Sequence, residues 1–376
     1  MKTLFWLGVA LTGLILLALT IEKLQALRYR RALCHIIHVN GTRGKSSVVR
    51  LIDAALRHNG IKVMSKSTGT VPMILHVDGS ETELKRHAPA NIREQLGLLR
   101  MAAKEGAQVL VIECMAVDPR LQYAAQHQIL QADIGVLTNA RLDHQDVMGD
   151  TREEVLEALL NTVPCKGVIL TAEQDFFPRI KAFAEKLKSR AHLALPQEEE
   201  LQQTLDFPDN IALAAAVAEE LGIPREKALE AMAKVRRDPY SMEILQRGKL
   251  CFVNAMSTND VESAKLVLQR ALDSGAEGKQ LAILINNRAD RPARAREMVR
   301  LCRELSPQRI WLLGDQPAAL KRLCRRAVPG IPVEYEPDLN RLLQPEEPTL
   351  LLAVGNIKGD GMRLMELLHR EGEQDV

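Results

Sequence analysis

The stretch that decides the reading is His38–Leu56, "HVNGTRGKSSVVRLIDAAL". It begins as the end of an apolar strand, turns through Gly41 and Gly44, and continues as an amphipathic helix pattern. A glycine-rich turn between a strand and a helix points backbone N–H groups at one locus, and the helix N-terminus adds partial positive charge. Lys45 is placed to reach β/γ-phosphate oxygens and the Ser46 hydroxyl to ligate Mg²⁺. The general phosphate-loop pattern asks for a glycine five residues before Gly44; that position is Val39, and Gly41 supplies the turn instead. An ordinary strand–helix turn that happens to contain Gly-Lys-Ser is the alternative.

Outward from this turn, apolar runs alternate with helical patterns. "CHIIHVN", "KVMSKS", "VLVIECM", "IGVLTNA" and "GVILTA" read as strands, with helices near 46–59, 91–105, 119–130 and 151–163. Short unbroken apolar strands separated by amphipathic helices predict a mostly parallel sheet covered on both faces. An alanine-rich helical region follows, "DNIALAAAVAEELGI" and then "PREKALEAMAKV". "RDPYS" (237–241) reads as a linker, and "PQEEEL" (196–201) as a solvated loop or helix start. Beyond the linker the alternation restarts with "LCFVNAM", "LAILINN", "RIWLLG" and "LLLAVGN", separated by helices at 261–274, 293–305, 317–327 and 361–370. The expected organisation is a membrane anchor with a juxtamembrane segment (1–30), a phosphate-binding central α/β domain (31–240) and a smaller Rossmann-like α/β domain (241–376).

The anchor is predicted from "TLFWLGVALTGLILLALTI", residues 3–21, which carry no charge. As a helix they span roughly 28 Å, close to the roughly 30 Å of a bilayer's hydrocarbon. Lys23, Arg28, Arg30 and Arg31 follow, which by the positive-inside rule puts the body in the cytoplasm of a single-pass protein. A cleaved signal peptide is the rival; the stretch is long for one, and "LALTIEK" is a poor cleavage site. The 376 residues are 46% hydrophobic, and 50 basic against 48 acidic residues leave a net charge of +2, so no global field argues for nucleic acid. Six cysteines without a CxxC pair read as reduced thiols, not as a zinc site or disulfide framework.

Two further strand ends carry chemistry. Glu113 closes "VLVIE", where a carboxylate is costly unless paired or bound to metal; reaching solvent at the strand tip is the plainer reading. "LTNARLDHQDVMG" crowds Asn139, Asp143, His144 and Asp146 into one loop, although a lone His beside an Asp is usually structural. Together with the phosphate loop these residues resemble the Mur ligase superfamily, which includes peptidoglycan precursor ligases and folylpolyglutamate synthase. The resemblance rests on Gly41-Thr42-Arg43-Gly44-Lys45-Ser46, on Glu113, and on Asn139 through Asp146. Within that superfamily "NGTRGKS", "KSTGT", "IECMAV", "TNARLDHQDVMG", "NNRADR" and "VGNIKG" look like the ATP-dependent ligase subunit of poly-γ-glutamate synthases.

The resemblance implies ATP and Mg²⁺ as cofactors, held by Gly41, Thr42, Arg43, Gly44, Lys45, Ser46 and Ser47, with Asn139 and Asn210 as further nucleotide contacts. It implies Lys45, Glu113 and His144 as catalytic, and Ser46, Glu113 and His144 as metal ligands. Asn259, Arg288 and Arg291 are candidates on the substrate side, with solvated loop arginines as the alternative for the last two. Glutamate and the poly-γ-glutamate chain are the implied substrates, and small membrane subunits of a synthase and export complex the implied partners. The sequence departs from the superfamily in two places. "TREEVLEALLNTV" lacks the lysine that Mur ligases often carbamylate, and "NAMSTN" (254–259) has Asn254 and Met256 where Mur ligases have Asp and Lys. Whatever that Asp and Lys do for the nucleotide falls here to other residues, with Arg288 and Arg291 as candidates. Two other classes compete: a membrane-tethered NTPase or kinase, and a nucleotide-binding regulatory scaffold of a membrane complex. ADP that appears only with glutamate separates ligation from plain turnover.

Overall fold

The computed structural model describes residues 2–69, 71–86, 90–198, 206–235, 240, 242–258, 261–290 and 292–372. The chain divides into two compact units, Met1–Arg236 and Arg237–Val376. Most of the "RDPYS" segment, part of "PQEEEL", and the substrate candidates Asn259 and Arg291 lie outside the described residues.

The first unit is built on an eight-stranded sheet: β1 (His35–Asn40), β2 (Val63–Ser67), β3 (Met73–Leu75), β4 (Glu81–Glu83), β5 (Val109–Glu113), β6 (Ile134–Leu137), β7 (Val168–Thr171) and β8 (Arg190–Leu193), in the order β4-β3-β2-β5-β1-β6-β7-β8. From β2 to β8 every pairing is parallel, and β3 and β4 add an antiparallel edge. The sequence pattern missed this edge and β8, because three- and four-residue strands with polar members carry too few residues to show a period.

The strands β5, β6 and β7 are almost wholly apolar because helices cover both faces of the sheet. On one face Ile37, Val39, Val63, Val109 and Val111 pack under α2 (Lys45–Arg57) and the helices Pro208–Glu220 and Arg225–Met232. Ala212, Ala214, Ala215 and Ala218 are fully buried there, so the alanine run lets this helix come close to α2. On the other face Ile36, Met64, Leu110 and Ile112 pack against α3 (Glu94–Lys104) and the segment after α4 (Pro119–Tyr123). The pattern predicted one helix over 119–130; the structure has α4 followed by π-helical turns over Ala124–Leu130. The helix expected from 151 starts at Arg152, where Thr151 and Glu154 form a reciprocal capping box.

Before β1 comes α1 (Lys2–Arg31), one unbroken helix. From Phe5 onward it is long and apolar enough to cross a membrane by length and composition, and none of its apolar window is buried in the protein.

Among the described residues the second unit holds a six-stranded sheet: β9 (Glu243–Arg247), β10 (Leu250–Asn254), β11 (Gln280–Asn287), β12 (Arg309–Gly314), β13 (Val333–Tyr335) and β14 (Thr349–Gly355), in the order β13-β12-β11-β14-β10-β9. All pairings are parallel except that of β9 with β10. Phe252, Leu284, Leu351 and Met365 centre one of its buried layers.

Candidate active site

In the first sheet β1 lies between β5 and β6, so the chain departs in opposite directions on its two sides. The crevice beyond the carboxyl end of such a strand is where open α/β sheets bind ligands. The phosphate loop sits there, between the end of β1 and the start of α2. Gly41 has φ +132°, and a Cβ at that position would lie 2.0 Å from Thr138 Oγ1 and 3.0 Å from the Thr138 backbone nitrogen. Gly44 has φ +80°, and a Cβ there would meet Asn210 Oδ1 at 2.5 Å. Both glycines are thus required by conformation and by neighbours.

The loop after β6 grips the phosphate loop. The Thr42 hydroxyl donates to Asn139 Oδ1 (2.7 Å), as does the Arg43 amide (3.2 Å), and Asn139 Nδ2 donates to the Arg43 carbonyl (3.1 Å). The Thr138 hydroxyl reaches the same carbonyl at 2.6 Å. The Arg43 guanidinium donates to Asp143 Oδ2 (2.6 Å). Asn139 therefore turns its amide onto the loop, and Asp143 joins that loop to the Asp-His segment.

Lys45 bends back, its ammonium donating to the carbonyls of Gly41 (2.8 Å) and Thr42 (3.4 Å). On the first turn of α2 the Ser46 hydroxyl donates to Glu113 Oε2 at 2.7 Å, and the same oxygen takes the Thr68 amide at 2.6 Å. Ser47 follows, half-buried. Glu113 is only 3% exposed, so the solvent-reaching alternative does not hold; two donors meet its carboxylate, and the Lys66 ammonium lies near enough to attract it. Asn210, also buried, packs against Gly44 and donates to Asp206 Oδ1 (2.7 Å).

His144 stands differently. It adopts a left-handed backbone (φ 46°, ψ 47°), and its Nε2 lies 3.8 Å from Asp143 Oδ2. Among the described residues no group of three or more His, Cys, Asp or Glu side chains gathers to hold a metal ion, so His144 and Asp143 form no ligand cluster with Glu113. Ser46 and Glu113 by themselves are a pair of hard oxygen donors of the kind Mg²⁺ accepts alongside water and phosphate oxygens.

Sequence reasoning passed over two buried bases. Lys66 near the end of β2 and His38 on β1 are both fully buried, and both pair across the sheet with Ile112 of β5. Burial pushes the Lys66 ammonium down to about 8 against the opposing pull of Glu113, and the Met115 sulfur lies 4.0 Å from its Nζ. Burial likewise holds His38 down at about 4; its Nδ1 meets Gln126 Oε1 at 2.8 Å, and its Nε2 has no hydrogen-bond partner among the described residues. The available signal was His38 inside the mostly apolar run of β1; β2, "VMSKS", is half polar and offered none for Lys66.

In the second unit the motifs "NNRADR" and "VGNIKG" come together at the carboxyl edge. Asn286 Nδ2 donates to the carbonyls of Asn356 and Lys358, and Arg294 donates to Asn356 Oδ1 at 2.7 Å. Arg288 pairs with Asp290 of its own loop (2.7 Å). Asn254 Oδ1 accepts the Met256 amide (3.1 Å), and the Thr258 hydroxyl donates to the Ala255 carbonyl (2.6 Å), so "NAMST" is a self-capped turn.

Residues 39–218 match the Mur ligase middle domain, and residues 240–371 match the C-terminal domain of poly-gamma-glutamate synthase CapB. Among solved structures, E. coli FolC in complex with ADP superposes with a TM-score of 0.70 at 13% identity, covering 94% of this chain and 93% of that one. MurF from Acinetobacter baumannii gives 0.63 at 14% identity, covering 93% and 80%. Fold and phosphate loop thus define a Mur-ligase-type α/β protein. The capsule biosynthesis protein CapB of Bacillus anthracis is 32% identical, over 89% of this chain and 76% of that protein. PGA synthase CapB of Bacillus subtilis (strain 168) is 31% identical, over 97% and 98%. The chain belongs to the CapB family of poly-γ-glutamate synthases.

Proposed function

We propose that the protein is an ATP-dependent, ADP-forming ligase that joins glutamate residues through γ-amide bonds at the membrane. One observation carries the reading beyond family membership: Lys45, Ser46 and the buried Glu113 converge on one phosphate loop that the Asn139–Asp143 segment locks in place. The similarity to poly-γ-glutamate synthases supplies the substrate class.

A carboxylate acylates poorly because oxide is a poor leaving group. In the proposed reaction an oxygen of the chain's γ-carboxylate attacks the γ-phosphorus of ATP and ADP departs. The amine nitrogen of the incoming glutamate then attacks the acyl carbon, phosphate leaves, and the amine proton passes to solvent. Such transfer needs position and charge neutralisation more than covalent help. Lys45 is set to exchange its loop carbonyls for β/γ-phosphate oxygens. The loop amides, fixed by Asn139 and Thr138, would cradle the phosphates, with Asn210 behind them. Ser46 and Glu113 would hold Mg²⁺, which when bound supplies charge neutralisation at the phosphates. His144 is the candidate for a second Mg²⁺ on the acceptor side, and Arg288, Arg291 and Asn259 for substrate carboxylates.

α1 would anchor the protein as a single-pass membrane helix with its body in the cytoplasm, beside small membrane subunits for synthesis and export. The test is a membrane-free body: with residues 1–22 deleted it should bind ATP and Mg²⁺ in solution, while polymer output in cells falls. A folded truncation that fails to bind nucleotide would make the anchor part of the site.

A further inference from the structure

α1 is built into the first unit rather than hung from it. At its lower end Arg30 donates from Nη2 to Asp133 Oδ1 (2.9 Å) and from Nε to the Gln131 carbonyl (3.1 Å). Asp133 also takes the Ile36 amide (2.9 Å) and sits 2.5 Å from His35 Nδ1. Tyr29 and Leu33 pack with Leu98, Leu99 and Ala102 of α3. Two turns higher, both carboxylate oxygens of Glu22 accept from Arg93 Nη2 (2.6 and 2.7 Å), and Arg93 is the cap residue of α3.

These bonds set a direction. Glu22 meets the start of α3 while Tyr29 and Leu33 pack on Leu98, Leu99 and Ala102 further along it, so α1 runs beside α3 in the same sense, and opposite to β1. The lower ones meet Gln131 and Asp133, which precede β6, while the Cys34 amide donates to the carbonyl of Gln108, which precedes β5; this is the amino edge of the sheet. The upper one meets the start of α3, which runs back toward the amino edge before β5 begins. The heights agree: Arg31 to Glu22 is about 14 Å of helix, and β1 climbs about 17–20 Å. Glu22 therefore stands near the level of the carboxyl edge, and the uncharged stretch of α1 begins one residue above it. Arg120, 90% exposed and paired with Asp118, opens α4, whose Gln122 accepts from Asn40 Nδ2 at the carboxyl end of β1 (2.8 Å), so it stands near this level; Lys23 on α1 beside Glu22 is a cation that suits anionic headgroups.

We propose that the carboxyl edge of the first unit's sheet, with its phosphate loop and the Ser46–Glu113 pair, is held facing the lipid headgroups, and the amino edge faces away. This rests on the reading of α1 as a membrane anchor. It places acyl transfer in the layer of water next to the bilayer, so that a growing anionic chain is released at the membrane surface rather than into bulk cytoplasm.

The test uses the full-length chain in phosphatidylcholine–phosphatidylglycerol vesicles. Cys34 and Cys165 are its exposed thiols among the described residues, and both lie at the amino edge. One variant, Cys34→Ser, keeps Cys165 as a low probe; a second, Cys34→Ser with Cys165→Ser and Arg120→Cys, carries a high probe. Lys62→Cys in the thiol-replaced background is a second low probe. Each is labelled with a fluorophore, and quenching by headgroup-spin-labelled lipid is read on floated vesicles. The expected result is quenching several-fold stronger at position 120 than at 165 or 62. Equal or reversed quenching on floated vesicles overturns the orientation alone. A chain that does not float with vesicles overturns the anchor reading, and the orientation with it.

Discussion

Replacing Gly41 with alanine should damage nucleotide binding without unfolding the protein, and the structure sets the size. At φ +132° a non-glycine residue is held in a region that costs of order 1–3 kcal/mol. The new methyl would lie 2.0 Å from the Thr138 hydroxyl, which must swing away from the Arg43 carbonyl it holds at 2.6 Å, a loss of about 1 kcal/mol. The backbone nitrogens of Thr138 and Asn139, at 3.0 and 3.1 Å, continue β6 and cannot follow. The loop itself must move, at about 2–4 kcal/mol, or roughly 30- to 1,000-fold in affinity if the distortion is felt wholly in binding. Gly44→Ala should be milder, about tenfold. Its left-handed backbone costs about 1–2 kcal/mol, and the obstructing atom is the end of the Asn210 side chain. Titration calorimetry with a non-hydrolysable ATP analogue measures both, and circular dichroism checks folding. Gly41→Ala binding within twofold of wild type, or Gly44→Ala proving the worse, would refute this account of the loop.

His144→Ala should lose most glutamate-dependent ADP release, about 10–100-fold, and recover in part at higher Mg²⁺, while ATP affinity changes little; identical Mg²⁺ curves would make His144 structural. His38 has a folded pKa near 4 against 6.5 unfolded, so its stabilising contribution is complete above pH 6.5 and lost as pH falls toward 4, by about 3 kcal/mol. His38→Gln should therefore flatten the fall in the first unit's urea midpoint between pH 7 and 4.5; a variant that falls as steeply as wild type contradicts this. Lys66, at about 8 when folded against 10.5 unfolded, costs stability below pH 8 and less as pH rises to 10.5. Lys66→Met should raise the first unit's melting temperature at pH 7, with the gain shrinking by pH 10; a lower melting temperature at pH 7 would show that the ammonium is needed to balance Glu113.

The parallel architecture was legible because buried strands and amphipathic helices leave strong, long patterns, as in "CHIIHVN" followed by α2. The strands at the sheet margins, β3, β4, β8, β9 and β13, were not, since each is short or half-polar and is held by its neighbours' hydrogen bonds more than by its own pattern. The residues of the phosphate loop could be named from sequence, because spacing fixes their place on one turn. What they touch could not be: the clamp from Asn139 and Asp143 onto Arg43 joins residues about a hundred positions apart. Lys66 and His38 were hidden for the same reason, since their meeting across Ile112 depends on strand order, which no local pattern encodes.

If ATP cleavage at this loop is coupled to amide formation, the stoichiometry of the products reports it. Purified full-length protein in vesicles, with Mg²⁺ and ATP, is assayed for ADP, AMP and amide product, with and without glutamate and a glutamyl chain. The account predicts ADP and phosphate formed only when glutamate is present, one ADP for each new γ-amide bond, and neither in Lys45→Ala. ATP turnover at the same rate without glutamate, or AMP and pyrophosphate in place of ADP, would contradict it.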